Sequence, residues 1–93
     1  MKDKSALDMI YDAAFDADRY VEGEEFQLIE KAVTQIKLIE IKNKVGEIEF
    51  FKGIQALERI GFIKKCLSID SNGSYHFTDK VRITSFGKFK YNN

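Results

Sequence analysis

The stretch "FFKGIQALERIGFIKK", Phe50 to Lys65, contains both a helix and the signal that ends it. Its apolar residues recur at three- and four-residue spacing and predict one inward helix face: Phe50, Phe51, Ile54, Leu57 and Ile60. Gly61 then supplies the left-handed residue with which many helices end, and Phe62 is expected to fold back on the last turn. We therefore predict a helix over residues 48–60 that leads directly into a β-rich, basic segment.

A β-hairpin is predicted after this glycine. Two β-rich runs flank Ser71-Asn72-Gly73, a tripeptide that favours a tight turn. Alternate residues of the returning run form an apolar set and a polar, largely basic set: Tyr75, Phe77, Val81 and Ile83 against His76, Thr78, Lys80 and Arg82. Asp79 breaks this alternation, which indicates a bulge or second turn. Beyond the hairpin, Thr84 is a candidate cap for a short last helical turn, with Phe86 and Phe89 expected to pack inward.

An acidic amphipathic helix is predicted at the start of the chain, from Lys4 to Ala17. Asp8, Asp12 and Asp16 lie four residues apart on its polar side. Aspartates near a helix C-terminus oppose the helix dipole, so the last turn is expected to fray and "DRYVEG" to form a loop.

A second helix is expected to start near Glu24, with Phe26, Ile29, Val33 and Ile36 on its apolar stripe. Periodicity alone leaves residues 37–47 open between helix and strand. We favour helix through Asn43, kinked or broken near Lys37. Asn43 and Gly46 are then the residues expected to take positive φ in a turn.

Composition and length are those of one folded domain. The chain has 93 residues, of which 44% are apolar and 32% charged, and no apolar run is long enough to span a membrane. We expect a cytoplasmic protein without a membrane partner. Charge is unevenly distributed: residues 1–30 carry nine acids and three bases, whereas residues 31–93 carry six acids and twelve bases. The chain is therefore acidic at one end and basic at the other.

The order helix, helix, turn, helix, glycine and basic hairpin resembles the winged helix-turn-helix superfamily of small bacterial, phage and plasmid DNA-binding proteins. "FFKGIQALERIGFIKK" followed by the hairpin and "ITSFGK" carries the resemblance, over roughly residues 37–87. It implies an α+β fold with three to four helices, a hairpin wing and a short C-terminal segment. The segments of this single domain would be 1–23 (acidic helix and loop), 24–61 (helical core with recognition helix 48–60), 62–84 (wing) and 85–93.

The resemblance implies that the exposed face of helix 48–60 lies in the DNA major groove and the wing beside it. The residues expected to contact DNA are Lys52, Gln55, Arg59, Lys64, Lys65, Lys80 and Arg82. Arg59 would read guanine, Gln55 would pair with adenine, and the lysines and Arg82 would neutralise phosphates. Because the chain has three arginines, guanine readout would be sparse, and an AT-rich target is expected. A plainer interpretation stays open, in which Lys52, Gln55 and Arg59 are a solvated helix face and Lys64 and Lys65 protect an edge strand.

The remaining chemistry-bearing residues favour no catalytic or metal site. Cys66 lies among apolar neighbours and is expected to be a small buried hydrophobe, and His76 a surface strand residue. No phosphate-binding glycine loop, cysteine–histidine cluster or nucleophile elbow occurs. We therefore expect no enzyme, cofactor or metal.

Two hypotheses for function follow. The first is a DNA-binding regulator or replication factor, expected to be a homodimer because one recognition helix and wing bury too little for tight binding. Its contacts between copies would use the N-terminal helix or the aromatic segment of Phe86, Phe89 and Tyr91. The second is a protein-interaction module of the phage adaptor, antirepressor or inhibitor type, binding a protein partner through Asp8, Asp12 and Asp16.

Overall fold

The computed structural model describes residues 4–20 and 32–93 of the chain. Within these residues it has four helices and one antiparallel two-stranded hairpin, which confirms the predicted α+β class. The elements are α1 (Ala6–Tyr20), α2 (Gln35–Val45), α3 (Glu47–Arg59), β1 (Leu67–Ile69), β2 (Tyr75–Phe77) and α4 (Ser85–Asn92). The predicted helix start near Glu24, with Phe26 and Ile29, lies outside the described residues. Among the helices described, none is long and apolar enough to cross a membrane.

Helix α3 is the centre of the core, and its bounds agree with the predicted 48–60 to one residue. Phe50, Ile54 and Leu57 have relative exposures of 1%, 0% and 0% and pack with α1, whose Ile10 is also fully buried. Ile60 was predicted to face inward and is instead 48% exposed, because it is the C-cap at which the chain turns away from the helix axis.

The C-terminus of α3 has the predicted glycine cap. Gly61 has φ 83°, its N–H donates to the Glu58 carbonyl (3.1 Å), and the Phe62 N–H donates to the Leu57 carbonyl (2.9 Å). This pair of bonds is the Schellman arrangement, which satisfies carbonyls that the end of a helix leaves unpaired. It also directs Ile63 back into the core, so α3 and the hairpin are joined with little freedom.

Helix α1 is longer than predicted, since it runs through Tyr20, so the expected fraying of the turn before Ala17 and the loop at residues 18–20 are wrong. The rest of the predicted loop, residues 21–23, lies outside the described residues. The aspartates near its C-terminus do oppose the dipole, but Asp18 is buried and forms an ion pair with Lys88 of α4. A cation at this position offsets the unfavourable charge at the helix end.

Helix α2 confirms the helical interpretation of residues 37–45 but begins later than predicted. Thr34 is its N-cap, with Oγ1 accepting from the Lys37 N–H (3.2 Å), so the helix runs unbroken through Lys37. Val33 precedes the cap in non-helical backbone and donates its N–H to the Val81 carbonyl (3.0 Å). Asn43 is helical as predicted but does not take the expected positive φ, and Gly46 (φ 92°) makes the junction between α2 and α3.

The hairpin turns at Ser71-Asn72-Gly73 as predicted. Gly73 has φ 83° and donates to the Asp70 carbonyl (3.0 Å), while Asp70 Oδ1 accepts from the N–H groups of Asn72 (2.8 Å) and Ser74 (2.9 Å). The strands pair Leu67 with Phe77 and Ile69 with Tyr75.

The returning strand is interrupted after Phe77 by the bulge predicted at Asp79, and Phe77 of the predicted apolar set packs against the rings of Phe50 and Phe51. The chain bends at Thr78 and Asp79, and pairing resumes at the bridge between Ile63 and Ile83. Between the Leu67–Phe77 pair and this bridge, the returning side has two more residues than the outgoing side. Val81 and Ile83 are buried beyond this bulge, whereas Phe77 before it is 43% exposed.

Helix α4 has the predicted Thr84 cap but turns a different face inward. Thr84 Oγ1 accepts from the Gly87 N–H (2.9 Å) and donates to the Gly61 carbonyl (2.7 Å). The residues that pack inward are Gly87 and Tyr91, whose ring stacks on Phe15 with centroids 4.0 Å apart. Phe86 and Phe89, predicted to pack inward, are 49% and 62% exposed.

Candidate functional site

The solvent face of α3 presents the three side chains that the sequence singled out. Lys52 and Arg59 are exposed, while Gln55 is half-buried because the hairpin lies beside it. The Tyr75 hydroxyl donates to Gln55 Oε1 (3.3 Å), and the Tyr75 ring stacks on Phe51 with centroids 4.9 Å apart. The hairpin is thus fixed along one flank of the helix face that carries Lys52 and Arg59.

A second pair of basic residues meets at the base of the hairpin. The Lys64 N–H donates to the Arg82 carbonyl (2.9 Å) next to the buried bridge between Ile63 and Ile83. Because side chains alternate along paired strands, Lys64 and Arg82 lie on the side of the ladder away from those isoleucines. The Arg82 side chain is 30% exposed and lies 3.6 Å from Asp79 Oδ1, which offsets part of its charge.

The other two predicted cations of this region, Lys65 and Lys80, lie elsewhere. Lys65 is exposed one residue beyond Lys64, and Lys80 is exposed beside a groove that α2 forms with the hairpin. The tip of the hairpin carries Asp70 and His76 (Nε2 to Oδ2, 2.7 Å) and no lysine or arginine. The basic character of the hairpin is therefore at its base.

Acidic residues divide the surface of α3 into two parts. Glu47 and Glu49 are exposed in its first turn, where carboxylates favour the helix dipole. Glu58 instead turns toward the hairpin, and its Oε2 accepts from the N–H groups of Cys66 (2.8 Å) and Leu67 (2.9 Å). The solvent face of α3 is thus acidic at its start and basic from Lys52 onward.

The predicted line of three aspartates on α1 is not a uniform acidic face. Asp8 and Asp16 are exposed, but Asp12 forms an ion pair with Lys4 and accepts a hydrogen bond from the Tyr91 hydroxyl (2.6 Å). Burial raises the pKa of Asp12, yet the hydrogen bonds from Lys4 and Tyr91 outweigh it and hold that pKa below its ordinary value. Asp12 therefore connects α1 to α4 within the fold.

Cys66 is the buried hydrophobe that the sequence predicted. It is 0% exposed, and burial together with the neighbouring Glu58 carboxylate raises the pKa of its thiol to about 12. The thiol is therefore protonated at neutral pH and unsuited to nucleophilic chemistry. In the part of the chain that the structure describes, no three cysteine, histidine or acidic side chains form a group that would hold a metal ion.

Sequence reasoning missed an apolar groove between α2 and the hairpin, here called the α2–hairpin groove. It has a volume of about 920 Å³, with Val33, Phe50, Phe51 and Val81 at its floor. Its walls are Leu38 and Ile39 of α2 on one side and Phe77 of β2 on the other. The sequence carries a weak signal of this groove. Leu38, Ile41 and Val45 recur at helical spacing on one face of α2. Ile39 lies off that face, as does Ile36, which was predicted on an apolar stripe and is 73% exposed.

Comparison with protein-family models, with curated proteins and with solved structures gives no match to this chain.

Proposed function

We propose that this chain is a winged helix-turn-helix domain that binds AT-rich duplex DNA through α3 and the base of the hairpin. The observation that carries the proposal is the solvent face of α3, where Lys52 and Arg59 project beside a hairpin held against the same helix by Tyr75. A helix of 13 residues with exposed cations suits the major groove, and an adjoining β-ribbon suits the backbone next to it. Lys64 and Arg82 at the base of the hairpin are the further cations proposed to contact phosphates.

The positions of the acids define how the domain would lie on DNA. Glu47 and Glu49 disfavour phosphate contact at the start of α3, so the proposed contact surface comprises the helix from Lys52 onward and residues 64–65 and 80–82. Gln55 is the side chain in this surface with the donor and acceptor pattern for adenine. This arrangement supports sequence-tolerant phosphate binding with limited base readout.

The domain is proposed to act as a homodimer, because a single helix and ribbon give little contact area on DNA. Phe86 and Phe89 lie on the outward face of α4 and are 49% and 62% exposed, whereas Tyr91 is occupied within the fold by Phe15 and Asp12. Contact between copies is therefore expected at Phe86 and Phe89 and not at Tyr91.

Salt-dependent binding tests the DNA proposal directly. Fluorescence anisotropy with a ~30-bp AT-rich duplex should give a negative slope of log affinity against log salt, at roughly 0.9 per phosphate contacted. Replacing both Lys52 and Arg59 by alanine should reduce the slope by ~2. Lys37→Ala is the matched control, since Lys37 is exposed on α2 and lies 4.0 Å from Glu40. An unchanged slope in the double variant, or no binding at ~50 mM salt, would remove the proposal.

A protein partner is the second candidate function. The observation in its favour is the exposed Phe86 and Phe89 on α4, which lies against α1, where Asp8 and Asp16 remain at the surface. An apolar patch near carboxylates suits a basic protein with an apolar anchor. Affinity purification from the source organism, with the wild-type chain and with the Asp8→Asn/Asp16→Asn chain, tests this candidate. A partner lost in the variant supports this candidate, and identical profiles contradict it.

A further inference from the structure

We propose that the α2–hairpin groove binds a small apolar carboxylic acid and that its occupancy changes the DNA affinity of α3. The volume of about 920 Å³ lies within the range of ~300–1,000 Å³ found for small-molecule sites. Such sites combine mostly apolar and aromatic walls with a few polar groups that orient the ligand. The groove has this composition in the part of the chain that the structure describes.

The floor and walls favour an aromatic or branched apolar body. Phe50, Phe51 and Phe77 form one cluster, with ring centroids 5.1 to 6.4 Å apart. Phe77 remains 43% exposed and Ile39 47% exposed, so apolar surface on both walls is in contact with solvent. A ligand ring inserted between these walls would remove that surface from water and add aromatic contacts.

Lys42 provides the positive charge at the rim that favours an anion. Lys42 of α2 and Lys80 of the hairpin segment line the groove, together with one carboxylate, Asp79. That carboxylate lies 3.6 Å from Arg82 and accepts from the Lys80 main-chain N–H (2.7 Å), so part of its charge is offset. Lys42 is half-buried on the α2 wall, where an ammonium strengthens a bond to a ligand carboxylate. The ligand class is therefore an apolar acid, not an apolar alcohol or amine.

The groove is connected to the proposed DNA surface through α3 itself. Phe50 and Phe51 are at the floor of the groove, and Lys52 follows on the solvent face of the same helix turn. Phe51 also contacts Tyr75, the residue that bonds to Gln55. A ligand that packs on these rings is expected to shift the hairpin relative to α3 and so to change DNA affinity. This effector role rests on the proposed DNA binding, whereas ligand binding itself does not.

Ligand binding is tested without DNA. ¹H–¹⁵N NMR titration of the full chain uses 4-phenylbutyrate and, as its neutral match, 4-phenyl-1-butanol. We expect saturable shifts at Leu38, Ile39 and Phe77, with an acid Kd on the order of millimolar for a ligand of ~12 non-hydrogen atoms. Lys42→Met should weaken the acid by about fivefold and leave the alcohol unchanged, as expected for loss of one charge-assisted bond. Lys44→Met, on the same helix but outside the groove, is the control and should change neither.

Defined outcomes overturn the ligand site. Equal affinity for acid and alcohol in the wild-type chain, or shifts that do not saturate, would show that no carboxylate site exists. Intermolecular contacts to Phe77 between labelled and unlabelled copies, undisturbed by excess acid, would show that a second copy occupies the groove. Contacts from residues 21–31 to Phe77 under the same conditions would show that this segment of the same chain occupies the groove.

The effector role has a separate readout. Saturating 4-phenylbutyrate should change the affinity for the AT-rich duplex by at least about threefold in the wild-type chain and in Lys44→Met, but not in Lys42→Met; coupling of this size is within the usual range. Ligand binding with unchanged DNA affinity would overturn the effector role alone. Ligand binding by a chain that shows no DNA affinity at all would overturn the proposed DNA function and leave the site intact.

Discussion

Gly53 of α3 lies directly against the backbone of Leu7 in α1. A Cβ atom at Gly53 would be 3.0 Å from the Leu7 nitrogen and 3.2 Å from the Ala6 carbonyl carbon. Real Cβ atoms rarely approach a neighbour so closely, and main-chain atoms within a helix cannot move aside alone. The missing side chain therefore sets how closely the two helices pack, and it allows Ile10 and Ile54 to be fully buried.

Gly53→Ala should destabilise the protein although it removes a glycine from a helix. Helix propensity alone predicts a gain of ~1 kcal/mol. Separating α1 from α3 costs more, and overpacking of this kind typically costs ~1–3 kcal/mol. We expect a net loss of up to ~2 kcal/mol by urea unfolding. Ala56→Gly, on the outer half of the same helix, is the control and should lose ~1 kcal/mol by propensity alone. A more stable Gly53→Ala chain would show that the helices separate at no cost.

The sequence was informative wherever a local signal defines the structure. Gly61 and Thr84 end and begin helices through hydrogen bonds to residues near them in the chain, and Ser71-Asn72-Gly73 forms its turn in the same way. In the sequence, Gly53 is visible only as a residue that lowers the helix propensity of α3. Its benefit, the close packing of α3 against α1, comes from residues more than 40 positions away.

The inward face of α4 is set by contacts with distant residues and not by a local signal. "SFGKFKYN" has aromatic residues on more than one side, so periodicity favours Phe86 and Phe89 as readily as Tyr91. The choice is made by Gly87, at which a Cβ would lie 2.2 Å from the Phe62 carbonyl oxygen, and by Tyr91, which bonds to Asp12. The α2–hairpin groove depends in the same way on distant parts of the chain, since Leu38 and Ile39 of α2 face Phe77 of β2 across it.

Glu58→Ala should destabilise the protein more than removal of an exposed acid does. Its carboxylate accepts hydrogen bonds from the N–H groups of Cys66 and Leu67 at the start of β1. Without it, two main-chain donors in a buried region lose their partner, at about 1–3 kcal/mol each when water cannot replace it. We expect a loss of roughly 2–4 kcal/mol by urea unfolding. Glu49→Ala serves as the control, and equal losses in both variants would contradict this role.

Cys66 should make the protein less stable at alkaline pH. Its thiol has a pKa raised to about 12 by burial and by Glu58, whereas an unfolded cysteine titrates near ~8.5. Between these values the unfolded chain has released the proton and the folded chain has kept it, so the free energy of unfolding falls as pH rises. The fall should begin near pH ~9 and be smaller in Cys66→Ala. Parallel pH profiles for the two chains, measured by denaturant unfolding, would contradict it.

Glu47→Gln/Glu49→Gln should bind DNA more tightly than the wild-type chain. Both carboxylates are exposed in the first turn of α3, beside the proposed contact surface, and their removal lowers repulsion from phosphates. The gain is expected to be about two- to tenfold at ~50 mM salt and to shrink as salt screens it. Removing first-turn acids should also cost up to ~1 kcal/mol of stability each. Asp8→Asn/Asp16→Asn on α1 is the charge-matched control, and an equal gain there would indicate a net-charge effect only.

Tyr75→Phe should change base preference without disrupting the hairpin. The phenyl ring keeps the stack on Phe51, while loss of the hydroxyl releases Gln55 Oε1 from the bond it now accepts. Pairing with adenine uses both the oxygen and the nitrogen of a glutamine amide, so the released side chain is better suited to it. We expect AT-rich duplex to bind about two- to fivefold more tightly, against a stability loss of ~1 kcal/mol or less. Tyr75→Phe/Gln55→Ala is the control in which the gain should vanish. A gain that persists there would show that Gln55 does not read the bases.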